Sequence, residues 1–261
     1  MSYNHILSDK DYLWSYSKLS CFDMCKYMFF LNYLLKEPTE NKYFAQYGTF
    51  NHKIHELVYK GELPCKDVLS YYITNFHKEV TSTPPSVNIY ESYFQKGITY
   101  WKSFKPSPNK ILMVEKEVEF TIGEYKFVGV IDLVEETRNG EIIITDHKSR
   151  DIKPRSKRGK KTHKDEQLDY MLHQLYLYSI AVKDLLGKYP TELNYNCFKN
   201  GTYIVNPFSI DGLENTKTWV NATIDKICNN SDWSPNLGLW QCNHICSVNK
   251  QCDYFEIVDW R

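Results

Sequence analysis

The chain has 261 residues, 42% of them hydrophobic and 25% charged, which suits an ordinary packed globular core. Basic and acidic residues number 32 each, so the formal net charge is zero; a uniformly basic nucleic-acid binder is excluded, whereas a local basic patch is not. No apolar run reaches the roughly 18 residues needed to span a bilayer. The opening MSYNHILSDKDYLW lacks the apolar stretch of a signal peptide, so the expected location is the cytoplasm, with no membrane contact. The eight cysteines are then expected to stay unpaired, and clustered ones to act as metal ligands. Aromatic content is 15%, with 21 tyrosines, which fits either a surface that stacks on bases or sugars or a tyrosine-rich core.

Taken in chain order, residues 12–36 predict one helix, with Ser15 or Ser17 as its cap and Leu19, Phe22, Tyr27, Phe30 and Tyr33 at helical intervals, ended by Pro38. A second helix is expected from Ala45 to Gly61, and two more over 65–79 and 88–104, parted by the breaker TSTPPS. After Pro108 the pattern changes to strands: 111–120, 125–134 and 141–147, the last two joined by a turn at Asn139-Gly140. Residues 166–187 form a long amphipathic helix closed by Gly187. Strands at 192–198 and 202–206 follow, then a helix over 212–229 and an irregular tail from 233 that holds three cysteines. The order predicts an α/β domain over 1–261: a helical N-terminal part (1–107), a core (108–230) and a Cys-rich C-terminal tail (231–261).

Asp132 and Asp146 lie near the ends of the apolar runs VGVID and IIITD. Hairpin-paired strands would bring their carboxylates together, where they repel unless a cation neutralises them. Hard oxygen ligands of this kind suit Mg²⁺ or Mn²⁺. Lys148 follows Asp146 at i+2 and shares its face in an extended segment. A metal, an activated water and a cation for the developing oxyanion are the parts that phosphodiester hydrolysis needs.

The pattern GVIDLV…IIITDHKS resembles the PD-(D/E)xK nuclease superfamily, in its RecB-like branch, which includes the AddB nuclease domain and iron–sulfur nucleases of CRISPR adaptation. Gly48-Thr-Phe-Asn-His52 is similar to the family's Gly-x-x-x-His motif, Gln174-x-x-x-Tyr178 to its Gln-x-x-x-Tyr motif, and Ser15 through Cys25 to Phe29 to its N-terminal helix. The resemblance implies a restriction-endonuclease-like core, with a central mixed β-sheet flanked by helices. It also implies His52, Asp132, Asp146 and the His147 carbonyl as metal ligands, with His55 as a rival to His52. Lys148 becomes the catalytic cation, and Gln174 and Tyr178 the residues that position DNA and the lysine. Glu117, from its place on the preceding strand, is a further candidate, to orient water or metal.

The expected activity is that of a metal-dependent DNA nuclease, an exonuclease on single strands or ends, in recombination, repair or phage DNA processing. The Asn-, Lys- and Tyr-rich, Gly-poor composition hints at an AT-rich source such as a phage. An RNA-directed enzyme fits the same residues. A silent DNA-binding or recombination-partner protein on this fold is the rival, against which the complete Asp-Asp-Lys set argues.

Cys242, Cys246 and Cys252 occupy a tail that gains order by binding metal. The resemblance adds Cys25 as a fourth ligand and implies a [4Fe–4S] cluster; the spacing between Cys242 and Cys246 departs from the family's, and Zn²⁺, or no ion, remains open. Cys21, the rival to Cys25, and Cys65, Cys197 and Cys228 are expected to be buried small residues. Residues 150–164 hold eight of the 32 basic side chains and one acid. Lys153, Arg155, Lys157, Arg158, Lys160 and Lys161 are therefore candidates to neutralise DNA phosphates, in a loop that is either functional or simply solvated.

Overall fold

The computed structural model describes residues 4–7, 9–157, 160–236 and 238–255, so Arg158 lies outside the described residues. A short strand, β1 (Leu13–Trp14), leads into helix α1 (Tyr16–Met24), whose cap is Ser15: its hydroxyl accepts from the Lys18 N–H at 3.2 Å. The single helix expected over 12–36 is broken at Cys25. That residue is extended (φ −158°, ψ 113°), ends α1, and caps the next helical piece by accepting from the Met28 N–H at 3.4 Å. This piece, Lys26–Phe29, widens into a π-helical turn, Phe30–Leu35, and stops at Lys36 in the left-handed region rather than at Pro38.

Helices α2 (Tyr43–Tyr59), α3 (Val68–Glu79) and α4 (Val87–Ser103) pack on one another. Their shared core of Tyr43, Tyr47, Phe50, Ile54, Tyr72, Phe76 and Trp101 absorbs much of the aromatic excess that the composition left open between surface and interior. Cys65, expected buried, is exposed, because it sits in the 3₁₀ turn Cys65–Asp67 that begins after Pro64 at the surface.

Among the described residues the mixed sheet has six strands. β2 (Lys110–Ile122) and β3 (Tyr125–Glu136) form a long antiparallel hairpin. β3 also pairs parallel with β1 at Lys126–Phe127 and antiparallel with β4 (Ile142–Lys148) at Leu133–Glu136. Helix α5 (His163–Leu186) then crosses over so that β5 (Glu192–Cys197) lies parallel to β4, and β6 (Thr202–Ile204) turns back along β5. Helix α5 starts before the residue 166 expected, because Thr162 and Asp165 form a capping box: Asp165 N–H donates to Thr162 Oγ1 at 3.3 Å, and Thr162 N–H to Asp165 Oδ2 at 2.7 Å. Helix α6 (Ile210–Cys228) packs on α5.

The main apolar core lies between the sheet and α5–α6, with Ile142, Ile144, Leu175, Val182, Leu193, Val220 and Ile224 all buried. The tail is not irregular throughout: it contains a short helix, α7 (Leu239–His244), and Val248 packs with Tyr27 and Leu31 beside Cys25, Cys246 and Cys252.

Candidate active site

Side-chain alternation divides β3 and β4 between two faces. Leu133 opposes Thr145 and Glu135 opposes Ile143, so these four share one face; Asp132, Val134, Ile144, Asp146 and Lys148 belong to the other. Main-chain pairing of β3 with β4 begins at Leu133–Thr145. Beyond it the strands are joined instead by the Asp132 carboxylate, whose Oδ2 accepts from the His147 N–H at 2.6 Å. Asp132 and Asp146 are both buried. Burial, and after it the charge of Asp146, push the Asp132 carboxyl upward.

Helix α2 presents His52 to this corner. Its Nδ1 lies 3.2 Å from Glu115 Oε1 and 3.5 Å from Asp132 Oδ2, while its Nε2 lies 2.9 Å from the His147 carbonyl. Burial by itself disfavours an imidazolium here, but Asp132, Glu115 and Asp146 outweigh it and push His52 up to about 9. His55, three residues on, faces away. It is buried, stacked on the His147 ring at 3.9 Å between centroids, with its Nε2 3.2 Å from Tyr100 OH.

The acid at His52 is Glu115, not Glu117. Glu117 is exposed on β2 opposite Val130. Glu115 reaches the cluster because its own backbone turns left-handed, at φ 45°, in the middle of a strand. A non-glycine residue there is strained by about 1–2 kcal/mol, and such strain collects at functional sites. Ligand atoms of His52, Glu115 and Asp132 all lie within 4.8 Å of one another, the one such trio among the described residues.

Lys148 sits on the other side of Asp146. Its Nζ is 2.7 Å from Asp146 Oδ2 and donates to Gln174 Oε1 at 2.9 Å, and Gln174 Nε2 donates to Tyr178 OH at 3.0 Å. The ammonium meets Asp146 Oδ2 outside hydrogen-bond geometry, so that buried oxygen has a charge neighbour but no hydrogen-bond donor. Helical i, i+4 spacing puts Gln174 and Tyr178 on one face of α5. Gly129 makes room for the tyrosine: a Cβ at 129 would fall 2.5 Å from Tyr178 Cε1.

A sequence model of the PD-(D/E)XK nuclease superfamily matches residues 13–253, nearly the full chain. The chain belongs to the PD-(D/E)XK nuclease superfamily. Membership makes it a nuclease, a hydrolase of phosphodiester bonds with a nucleic-acid substrate, and superfamily enzymes of this kind use divalent metals. Among solved structures, a protein from Eubacterium rectale, named only provisionally as an exonuclease, is similar at 11% identity and a TM-score of 0.48, over 97% of this chain and 90% of that one. The protein SSO0001 is similar at 17% identity and a TM-score of 0.33, over 78% of this chain and 95% of that one. No relative among the curated proteins matches the chain.

Beside Asp146 and Lys148 lies a groove of about 620 Å³, lined by Lys148, Arg150, Gln174, Tyr16, Tyr170 and His163. Arg150, Tyr16 and Tyr170 were not among the residues selected from sequence; the tyrosines had no motif to mark them, and only the docking of α1 on α5 brings them together. The basic loop is partly committed elsewhere. Arg155 and Lys161 both pair with Asp169, Lys161 at 2.7 Å, and Ser156 N–H donates to Asp165 at 2.7 Å, so the loop is pinned to α5. Lys153, Lys157 and Lys160 are exposed.

All eight cysteines are unpaired. Cys25, Cys242 and Cys246 line a cavity of about 160 Å³ with Met24, Met28 and Gln241, and Cys252 packs beside them. Cys21 is buried in the main core instead. No helix among the described residues is long and apolar enough to cross a membrane.

Proposed function

We propose that the protein is a Mg²⁺- or Mn²⁺-dependent deoxyribonuclease that acts on single strands or ends. The observation that carries this reading is the position of Lys148 Nζ, held by Asp146 and Gln174 on the same face of the sheet as Asp132. An imidazole, carboxylates and a backbone carbonyl make a donor set suited to a hard divalent ion. Asp146 Oδ2, buried beside the Lys148 charge but without a hydrogen-bond donor, is an oxygen that such an ion answers. His52, Glu115, Asp132, Asp146 and the His147 carbonyl would hold it. When bound, it supplies Lewis-acid polarisation of the phosphate and a more acidic water.

The chain's own residues do the rest. Lys148 keeps a positive charge for the phosphoryl oxygens, Gln174 fixes its ammonium, and Tyr178 fixes Gln174. Tyr16 and Tyr170, with ring centroids 6.5 Å apart, offer stacking surfaces for unpaired bases beside Arg150. That favours a single strand over a duplex. Lys153, Lys157 and Lys160 extend the positive path.

The four thiols Cys25, Cys242, Cys246 and Cys252 are proposed to hold a [4Fe–4S] cluster that ties the N-terminal helices to the tail. Among the described residues no three thiols converge within 4.8 Å, whereas a single tetrahedral zinc draws its thiolates in to about 2.3 Å from the metal. A brown chromophore near 400 nm with bound iron and sulfide supports the cluster; stoichiometric zinc in its place overturns it.

The nuclease reading is tested with 5′- and 3′-labelled single- and double-stranded DNA and with RNA, in Mn²⁺ and in Mg²⁺, using wild type and Lys148→Ala. Cleavage by wild type and none by the variant is expected. Equal cleavage by both removes Lys148 from the site, and preferential cleavage of RNA overturns the substrate.

A further inference from the structure

Residues 150–164 carry eight of the 32 Lys and Arg, and the fold sorts these cations into different surroundings. Arg155 and Lys161 pair with Asp169, and the Ser156 N–H donates to Asp165 Oδ1 at 2.7 Å, so the loop is pinned along α5. Arg150, Lys153 and Lys164 are exposed and pair with no carboxylate among the described residues. These three border one cavity of about 190 Å³.

The lining defines what the cavity can hold. Ile152, Leu168 and Met171 are buried and give it an apolar side. Among the described residues Asp151 is the one carboxylate on the lining, against three cations, and Gln167 adds an amide donor. Apolar surroundings lower the local dielectric, so the cations attract an anion more strongly there than on an open surface. Lysine ammoniums beside an arginine fork are donors that suit phosphate. The volume is that of a small anion's site, since pockets for drug-sized ligands run to about 300–1,000 Å³.

The cavity adjoins the active-site groove: Arg150, Gln167 and Met171 border both, whereas Lys148 lines the groove alone. The groove also carries Asp23 and Glu166, which repel phosphate, so the favourable way onward for a strand is past Arg150. We infer that the cavity is a phosphate subsite, which holds the backbone phosphate next to the one attended by Lys148. Arg150 stands between the two positions, Lys153 and Lys164 hold the outer phosphate, and the bases are left to Tyr16 and Tyr170 in the groove. Such a contact fixes the register of the strand and reads no sequence. Asp165 and Asp169 already order the loop backbone, which lowers the entropy lost when a strand arrives.

This inference rests on nucleic acid as the substrate class, but its test does not need cleavage. Short oligo(dT) strands, each with a single uncharged methylphosphonate at a different linkage, are titrated into metal-free protein by calorimetry. Lys153→Ala/Lys164→Ala is expected to bind the unmodified strand about tenfold more weakly than wild type. It is also expected to lower the slope of log affinity against log salt by about 0.7, one phosphate's share. The variant should lose sensitivity at one linkage only, the neighbour of the one cleaved with Mn²⁺, because the neutral linkage and the missing lysines remove the same contact. A variant as sensitive as wild type at every linkage overturns the subsite even if the strand is cleaved. Lost sensitivity at one linkage without any cleavage in Mn²⁺ upholds the subsite and overturns the nuclease reading instead, and no binding of any strand overturns both. Should the variant not fold, the wild-type scan decides: equal cost at every linkage means diffuse charge and overturns the subsite.

Discussion

β3 and β4 carry polar side chains into both faces of the sheet, and the faces treat them differently. On one, Asp132 and Asp146 are answered by His52, the His147 N–H and Lys148, a network of charges within ion-pair reach. On the other, Glu135, Thr145 and His147 border a cavity of about 540 Å³, with Ser107, Asn109 and Thr145 around the Glu135 carboxylate. The first face gathers its charges into ion pairs; the second spreads its polar side chains around a cavity. Alternation along a strand lets one pair of strands serve both purposes, with the backbone of His147 as their common element.

The largest expected effect on this contrast is at Lys148. Lys148→Ala should lower the cleavage rate by about 10²–10³-fold, as removal of an oxyanion-stabilising group does, measured as initial rates on labelled single-stranded DNA with Mn²⁺. A rate within about threefold of wild type would mean the charge network is structural. Next is Glu115. Glu115→Gln and Glu115→Gly should both lower the rate, by about 10–100-fold. Only the glycine variant should melt higher without metal, because glycine accepts φ 45° without the side-chain penalty. Equal melting temperatures for the two variants would show that no strain is stored there.

Gly129→Ala should destabilise the fold by about 1–3 kcal/mol through overpacking against Tyr178 and slow cleavage by loosening Gln174; chemical denaturation and rates on the same sample test both. A stable, slow variant would mean that the ring moves aside at the expense of the lysine's support. The smallest effect is a pH slope from the second face. Burial raises Glu135 above its ordinary 4.5. The folded state then binds its proton more tightly than the unfolded chain, so stability is lost as pH rises above about 4.5 toward the raised folded value. The melting temperature of Glu135→Gln relative to wild type should therefore be higher at pH 7 than at pH 4. A constant difference would show that Glu135 ionises in the cavity without penalty.

Much of this was legible from local pattern. The two hairpins, the crossover helix and the Asp132, Asp146 and Lys148 positions follow from period-two alternation, Asn-Gly turns and a run of helical spacing. The capping box at Thr162 and Asp165 was also written locally and sets the start of α5. Other features were not local. Cys25 keeps helical neighbours in sequence but is extended in the fold, and no periodicity marks such a break. Glu117 has the spacing of a strand-borne acid, yet the left-handed turn of Glu115 directs the carboxylate from two residues earlier to His52. Arg155 and Lys161 read as free cations, yet both pair with Asp169 on the helix packed against the loop.

The sequence by itself determined which residue types alternate along each strand and which share a helix face, because those relations depend only on the 2.0 and 3.6 periods of the backbone. Tertiary structure decided which of those faces meet. Whether His52 or His55 turns to the carboxylates, whether Tyr178 finds room over Gly129, and whether Glu115 meets His52 depend on how α2, α5 and the sheet dock. Docking is set by long-range packing and electrostatics between segments tens of residues apart, which no local window contains.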